Sequence, residues 1–497
     1  MKLIFRGHED RYAVEQSLLA FFPEERPVYE PAEDGEDHAL VTLSRSPRYN
    51  TAVTTITYHG RTARGISRTA VDPQLAEYEA ERLRQKAVKL SFFKAARDIT
   101  GITPSWGALT GIRPGKLASR MLEEGMTERQ VDRVLRDTYF VSPERRRLCI
   151  ETAEASRRAK ADLRPEDISL YVGIPFCPTR CAYCSFVSQS VERTLGLVEP
   201  YLEVLHREIT DAARMVQETG LHIKSFYMGG GTPTTLSADQ MDRLLTHLNR
   251  SFDLSGCAEY CIEAGRPDTI DREKLQVLLD HGVDRISVNP QSLEDHVLTA
   301  IGRRHTARDV EEAMALATGM GFPHVNMDLI AGLPEDTPEG FRRTLDKCLS
   351  YGADNITVHT LSLKKGSRIL LENFTIPSAE AVGEMLDYAN AALRQADFHP
   401  YYLYRQKYMS GSFENVGWSR DGRDCLYNIY MMEETHTILS LGGGGMTKVN
   451  LPDGHLTRFH NPKFPEQYIE QIDSVLAQKR EIFALLDSLD PTKQGIV

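Results

Sequence analysis

From Asp167 onward, short apolar runs alternate with amphipathic stretches at a regular step. Ile168–Phe176 is apolar almost throughout, which predicts a strand buried on both faces. A helical pattern over Val198–Thr219 comes next, then strand Lys224–Met228, helix Ala238–Asn249, strand Glu259–Ala264 and helix Asp271–His281. Strand Arg285–Asn289, helix Ala307–Met320, strand His324–Ile330, helix Pro338–Ser350 and strand Asn355–Leu361 continue the series. Strands separated by helix-length segments run parallel, because a crossover helix carries the chain back to the start of the next strand. Six such steps in about 200 residues predict an α/β fold, a partial (β/α)6 TIM-like barrel over residues 165–376. Such barrels place their chemistry at the carboxyl ends of the strands.

The pattern changes on either side. Pro377 marks a boundary, and Ser378 is placed to cap a helix running to about Ala396, with Glu380 and Glu384 in its first turns. Beyond it lie an aromatic run, Tyr401-Tyr-Leu-Tyr-Arg-Gln-Lys-Tyr408, and a glycine run, Gly442–Gly445. Residues 377–497 read as a small C-terminal α/β appendage closing over the barrel rim. Ahead of the barrel, alternation over Ala39–Leu43 and Thr51–Tyr58 predicts two strands. Helical patterns span Pro73–Ile99, Thr127–Thr138 and Pro143–Ala161. Residues 1–164 therefore read as an N-terminal α+β domain.

Composition narrows the class. The chain has 497 residues, too many for one ordinary core, and its 41% hydrophobic and 26% charged residues are those of a soluble protein. The start, Met1-Lys-Leu-Ile-Phe-Arg-Gly-His-Glu-Asp, has no apolar signal core, and no run of about 18 apolar residues offers a membrane span. A cytoplasmic protein is expected. A net charge of −11 argues against a general nucleic-acid binder. The charge is uneven: residues 1–164 carry 28 Lys and Arg against 24 Asp and Glu, a net of +4, and the remainder a net of −15. Cys149, Cys257, Cys261, Cys348 and Cys425 are scattered and read as buried thiols. Cys257 and Cys261, two ligands without His neighbours, argue against a second metal site.

The chemistry concentrates in Tyr171-Val-Gly-Ile-Pro-Phe-Cys-Pro-Thr-Arg-Cys-Ala-Tyr-Cys-Ser-Phe186. Cys177, Cys181 and Cys184 give three thiolates on one loop, just past the first barrel strand. Soft thiolates select iron–sulfur clusters, zinc or Cu(I). Structural zinc needs a fourth ligand, and neither Cys nor His lies between Ser185 and Leu205. A [4Fe–4S] cluster normally takes four thiolates, so three leave one iron open to an outside ligand. After the second strand comes Gly229-Gly-Gly-Thr-Pro-Thr234, where bare backbone is able to approach a ligand. The third strand ends in Glu263, placed for ribose hydroxyls or for a pairing with Arg266. The fourth ends in Asn289-Pro-Gln291. The fifth carries Asp328, a carboxylate that needs a partner if buried, with Arg303 as the candidate.

The C-x3-C-x2-C spacing resembles the radical S-adenosylmethionine superfamily. With Gly-Gly-Gly-Thr-Pro233, Gln291-Ser-Leu, Ile301-Gly-Arg-x-His305 and Asp328-Leu-Ile-x-Gly-Leu-Pro334, the chain resembles the oxygen-independent coproporphyrinogen III oxidase family. Trp106-Gly-Ala-Leu-Thr-Gly-Ile-Arg-Pro-Gly-Lys116, Tyr404-Arg-Gln-Lys-Tyr-Met409 and Phe413-Glu-Asn-Val-Gly417 resemble its HemZ-type subgroup. The resemblance implies a [4Fe–4S] cluster on Cys177, Cys181 and Cys184, with S-adenosylmethionine on its open iron. It implies that Tyr171 and Tyr183 pack near that cofactor, that Gly230, Gly231 and Thr232 meet its methionine end, and that Glu263 takes the ribose. Gln291, Arg303 and Asp328 match the remaining contacts, and Ser362 falls at a further one by spacing. The implied reaction is oxidative decarboxylation of two propionates of coproporphyrinogen III to vinyl groups in haem biosynthesis, fed by a low-potential donor such as flavodoxin or ferredoxin. The substrate's carboxylates require cations, with Arg180, Lys364, Lys365, Arg405 and Lys407 as candidates; Arg113 and Lys116 share the same logic. Two positions depart from the family. Phe186 stands where the active oxidases have a fourth Cys, as in the sister haem chaperones. Tyr427-Asn-Ile-Tyr-Met-Met432 stands where those chaperones have His-Asn-x-x-Tyr-Trp. A haem-binding or haem-transfer protein, and a radical enzyme acting on haem, are the alternatives.

Overall fold

The computed structural model describes residues 1–33, 35–184, 189–363, 367–372, 374–406, 410–451 and 455–489. They form two compact units, residues 1–150 with 411–413, and residues 151–410 with 414–497. The boundary expected at Pro377 falls inside the second unit.

The first unit is a four-stranded sheet in the order Lys2–Arg6, His38–Arg45, Tyr49–Tyr58, Arg61–Ala70, the first pair parallel and the others antiparallel. Leu3, Val41 and Ile56 from the sheet bury against Val14 and Leu18 of helix Arg11–Phe21 and Val88, Phe92 and Phe93 of helix Glu77–Thr100. Two of the strands are ones the alternation did not indicate. Arg61–Ala70 buries only Gly65 and Ser67, so it shows no apolar rhythm. Gly65 is required there because a Cβ would stand 2.0 Å from the Ser91 carbonyl oxygen of the helix above.

In the second unit, six parallel strands stand side by side in chain order: Asp167–Ile174, His222–Gly230, Glu259–Gly265, Arg285–Val288, His324–Ala331 and Asn355–Thr360. This is the expected partial barrel. Its helices begin where side-chain caps stand ready. Ser237 accepts from the Gln240 amide (3.2 Å), Asp271 from Lys274 (2.9 Å), Thr306 from Asp309 (3.3 Å) and Thr337 from Gly340 (3.0 Å). Ser378 likewise accepts from Ala381 at 3.2 Å and starts helix Ala379–Gln395.

The C-terminal residues extend the same sheet at both edges. Ile438–Leu441 pairs parallel with the first barrel strand, and Met446–Asn450 and Leu456–His460 lie outward of it. Asn415–Ser419 pairs antiparallel with the sixth, and His399–Tyr404, the front of the aromatic run, lies beyond it. The result is an open eleven-stranded arc whose edges are His399–Tyr404 and Leu456–His460. Among the described residues no helix is long and apolar enough to cross a membrane.

Candidate active site

A cavity of ≈ 340 Å³ opens at the carboxyl ends of the six strands. Every strand, or the turn just after it, supplies part of the lining. The first leads into Cys177, Cys181 and Cys184, the second into Gly230, Gly231 and Thr232, and the third into Glu263 and Gly265. The fourth supplies Ser287, Asn289 and Gln291, the fifth Asn326 and Asp328, and the sixth Thr357, His359 and Ser362. Tyr183 and Arg303 complete this side. Tyr402, Tyr404, Gln406, Asn428 and Met432 form the far wall.

The cysteine loop is fastened to the glycine turn. The Gly231 amide donates to the Ile174 carbonyl (2.8 Å) and the Thr232 amide to Phe176 (2.7 Å). A Cβ on Gly231 would lie 2.4 Å from the Phe176 oxygen, so no other residue fits without moving the loop. The far side of the loop is held by the Ala182 amide on the Ile301 carbonyl (2.9 Å) and by Arg266, which donates to Thr179 Oγ1 (3.1 Å) and approaches Cys181 Sγ (3.7 Å). Thr232 Oγ1 approaches Cys177 Sγ at 3.5 Å. Donors aimed at sulfur suit thiolate ligands. Among the described residues no three His, Cys, Asp or Glu side chains converge as ligands of a single metal ion. The three thiols line a broader space.

Two carboxylates in the cavity have opposite electrostatics. Burial pushes Glu263 up to about 7; a hydrogen bond from Tyr227 Oη opposes this, and nearby Asp328 adds to it. Burial also works on Asp328, yet His359 first, and then Asn326 and Thr357, hold it below the usual carboxylate range. Asn326 Nδ2 donates to Asp328 Oδ1 at 2.8 Å, and His359 Nε2 stands 3.7 Å from Oδ2. The partners expected from sequence differ. Arg303 donates to the Asn289 carbonyl (3.0 Å) and to Tyr183 Oη (2.8 Å), and Asp328 takes His359 instead. Arg266 pairs with Asp268, two residues along, at 2.8 Å, and leaves Glu263 to Tyr227. The first correction comes from the pleat: Asp328 and Thr357 are cross-strand partners, so His359 lies one inward position along. The second comes from a nearer carboxylate on the same turn.

Among the described residues Arg303 Nε and Gln291 Oε1 are buried and find no hydrogen-bond partner. Gln291 also holds a positive φ of 67°, a strained conformation for a residue with a side chain. Unpaired polar atoms at the edge of a cavity leave donors and acceptors for a ligand or water to satisfy.

Of the cluster and cofactor residues expected from sequence, all but Tyr171 line the cavity. Tyr171 lies behind the wall, stacked on Tyr227 (6.3 Å) and Tyr427 (6.2 Å). Of the cations, Arg180 is exposed outside the cavity, and Arg405 is buried but does not line it. Burial pulls the Arg405 guanidinium down to about 10, against the pull of Glu414. Phe186, Lys364, Lys365 and Lys407 lie outside the described residues, and Arg113 and Lys116 belong to the first unit. Sequence reasoning missed Tyr227, Asn326, Thr357 and His359. Their signal was the two-residue period of inward positions, Asn326 with Asp328 and Thr357 with His359.

The chain matches the model of the Radical SAM superfamily over residues 171–348. A cavity at the strand ends, three loop thiols and this match define a radical S-adenosylmethionine protein, whose cofactors are a [4Fe–4S] cluster and S-adenosylmethionine. It is 38% identical over 413 residues to the oxygen-independent coproporphyrinogen-III oxidase-like protein HemZ of Bacillus subtilis (strain 168), covering 82% of this chain and 82% of that one. The chain belongs to that oxygen-independent coproporphyrinogen III oxidase-like family. It is also 27% identical over 305 residues to the heme chaperone HemW of Haemophilus influenzae, covering 61% of this chain and 76% of that one. Among solved structures, coproporphyrinogen III oxidase (HemN) from Escherichia coli superposes with a TM-score of 0.53 at 24% identity, over 65% of this chain and 72% of that one, and so shares its fold. The donor set fits the two cofactors: soft ligands on one wall, bare backbone beside them, and polar groups beyond.

Proposed function

We propose that the protein carries out oxidative decarboxylation of coproporphyrinogen III, converting two propionates to vinyl groups to give protoporphyrinogen IX. The observation that carries this reading is the continuous cavity that runs from the three thiols past Glu263 to a far wall of Tyr402, Tyr404, Asn428 and Met432. That wall offers a flat apolar body room beside the cofactor.

In this reading Cys177, Cys181 and Cys184 hold the cluster. When bound, cluster and S-adenosylmethionine together supply a one-electron reductive cleavage that yields a carbon radical able to take a hydrogen atom. The protein's residues position and exclude. Gly230 and Gly231 let the methionine end approach the backbone, and Thr232 borders it. Glu263 accepts from the ribose hydroxyls, with Tyr227 fixing its other oxygen. Arg303, Gln291 and Asp328 complete the polar shell, and Tyr183 closes against Arg303. Each propionate loses one hydrogen atom from its β-carbon, then CO2 and one electron, which leaves to a one-electron acceptor. A low-potential donor such as flavodoxin or ferredoxin supplies the reducing electron.

The test is anaerobic. Reconstituted protein is incubated with coproporphyrinogen III, S-adenosylmethionine and a low-potential reductant, and products are oxidised and resolved as porphyrins. The reading requires protoporphyrin together with 5′-deoxyadenosine. Cofactor cleavage without protoporphyrin overturns the substrate assignment.

The relation to the heme chaperone HemW supports a second reading, haem binding and transfer without decarboxylation. Tyr427, at the place of the chaperones' motif histidine, is buried and stacked 4.4 Å from Tyr227. Stoichiometric haem binding without formation of 5′-deoxyadenosine from S-adenosylmethionine, whichever tetrapyrrole is supplied, would favour the carrier.

A further inference from the structure

The Trp106–Lys116 motif lies outside the barrel unit, and part of it borders a second cavity. This cavity, of ≈ 420 Å³, lies wholly within the first unit. Ala108, Leu109, Thr110, Gly111, Arg113 and Pro114 form one wall. Helix Glu77–Thr100 forms another, and Leu117 and Arg120 of helix Pro114–Glu123 a third.

Its chemistry has two parts. The floor is apolar, with Leu75, Leu83, Leu90, Leu109, Leu117 and Tyr139. Among the described residues its charges are mostly positive: Arg82, Lys86, Lys89, Arg113 and Arg120 line it, with Glu79 as the one acid. Residues 82–120 hold nine Lys and Arg and one acid, Asp98, so the local sequence is far more basic than the chain. Arg82, Lys86 and Lys89 stand at spacings of four and three, which puts them on one helix face. Seven residues of helix spread these charges over about 10 Å. Lys86 lies over the Tyr139 ring at 5.1 Å. The Lys89 side chain is half-buried, and burial lowers its pKa while Asp10 works against that. Arg120 also stands 3.8 Å from Glu124, but five cations around an apolar floor still leave a field that favours a counter-charged ligand. Cations strung along the walls match several separated single charges better than one compact phosphate. The volume is that of a small-molecule site.

We propose that this cavity binds a small, largely apolar molecule carrying several separated carboxylates. That a propionate-bearing tetrapyrrole is such a ligand rests on the proposed reaction; the polycarboxylate class does not.

The probe is coproporphyrin III, air-stable and fluorescent, titrated by fluorescence anisotropy into the full reconstituted chain. The variants are Lys89→Gln and the double variant Lys86→Gln with Arg82→Gln, each checked for unchanged melting and unchanged substrate-free cofactor cleavage. Two binding sites are expected in the wild type, with the variants weakening one of them at least tenfold. Added salt should weaken that site, and the tetramethyl ester should not occupy it. If the active-site reading fails, a single site remains and still disappears in the variants. Binding that the variants leave untouched, or an ester that binds as well as the acid, overturns the inference. If the porphyrin does not bind, calorimetric titration takes its place, and pyrophosphate binding where a linear tricarboxylate fails would overturn the carboxylate assignment. Calorimetric binding of the linear tricarboxylate, weakened in the variants, would then support the class and remove the tetrapyrrole.

Discussion

The two walls of the barrel cavity are built by opposite means. The wall from the cysteine loop to Glu263 uses short side chains and bare backbone, fastened by amide bonds between loop and turn. The far wall is made of large side chains, Tyr402, Tyr404, Gln406, Asn428 and Met432, from segments late in the chain. A cluster and a sulfonium nucleotide have fixed dimensions, so the residues that meet them recur at fixed spacing. A wall that has only to exclude water and offer a flat face can be met by many sequences. The first wall therefore carries the spacing shared across the superfamily, and the second only stretches that differ between its subgroups, such as Tyr404–Met409 and Tyr427–Met432.

This contrast breaks most sharply at Cys181. Cys181→Ser should abolish release of 5′-deoxyadenosine and change the iron–sulfur spectrum, while substitutions on the far wall do neither. Retained cleavage would mean that the loop is not the cofactor wall. Gly231→Ala comes next, because its Cβ meets a carbonyl oxygen at 2.4 Å. Overpacking of this kind costs about 1–3 kcal/mol, and cofactor cleavage should fall by one to two orders of magnitude as the loop shifts.

Glu263→Gln probes the same wall through pH. In the folded chain Glu263 titrates at about 7, against an ordinary 4.5. The fold thus retains a proton that the unfolded chain gives up. The stability linked to it is complete below about pH 4.5 and drains away as pH climbs to about 7. Wild-type melting should fall across that window relative to the Gln variant. Cofactor affinity should do the reverse and rise with pH, since the ionised carboxylate is the better acceptor; equilibrium dialysis should show a flat profile for the variant.

On the far wall, Tyr404→Leu removes a ring stacked 6.2 Å from Tyr402. It should raise the KM for the tetrapyrrole severalfold and leave substrate-free cleavage alone, the reverse of the Cys181 result. The smallest effect is at Ser378→Ala. It removes one helix cap, worth about 1 kcal/mol, and should lower melting slightly without touching either wall.

The same division explains how much was legible in the chain. The six barrel strands were visible because short segments rich in apolar residues alternate at a regular step with helix-length amphipathic stretches. Arg61–Ala70 was invisible because its inward positions are Gly65 and Ser67. The residues of the first wall could be named from the family resemblance and the strand ends, but their partners could not. Arg303 was the expected partner of Asp328 on charge alone, and the sheet register gives His359 instead. Pairing of that kind depends on which strands neighbour each other, and that is a property of the whole fold.

The extension of the sheet at both flanks sets the order in which the molecule can be finished. Ser169 meets its outer neighbour Ile438 only after most of the polypeptide has been made, and Asn355 waits for Ser419. Until then a nascent barrel has two raw edges, the kind that invite pairing with foreign strands. Contacts so distant in sequence form slowly. The ribosome must therefore release nearly the whole polypeptide before the arc is sealed, and a chain cut short near Gln395 should aggregate rather than linger as a free half-barrel.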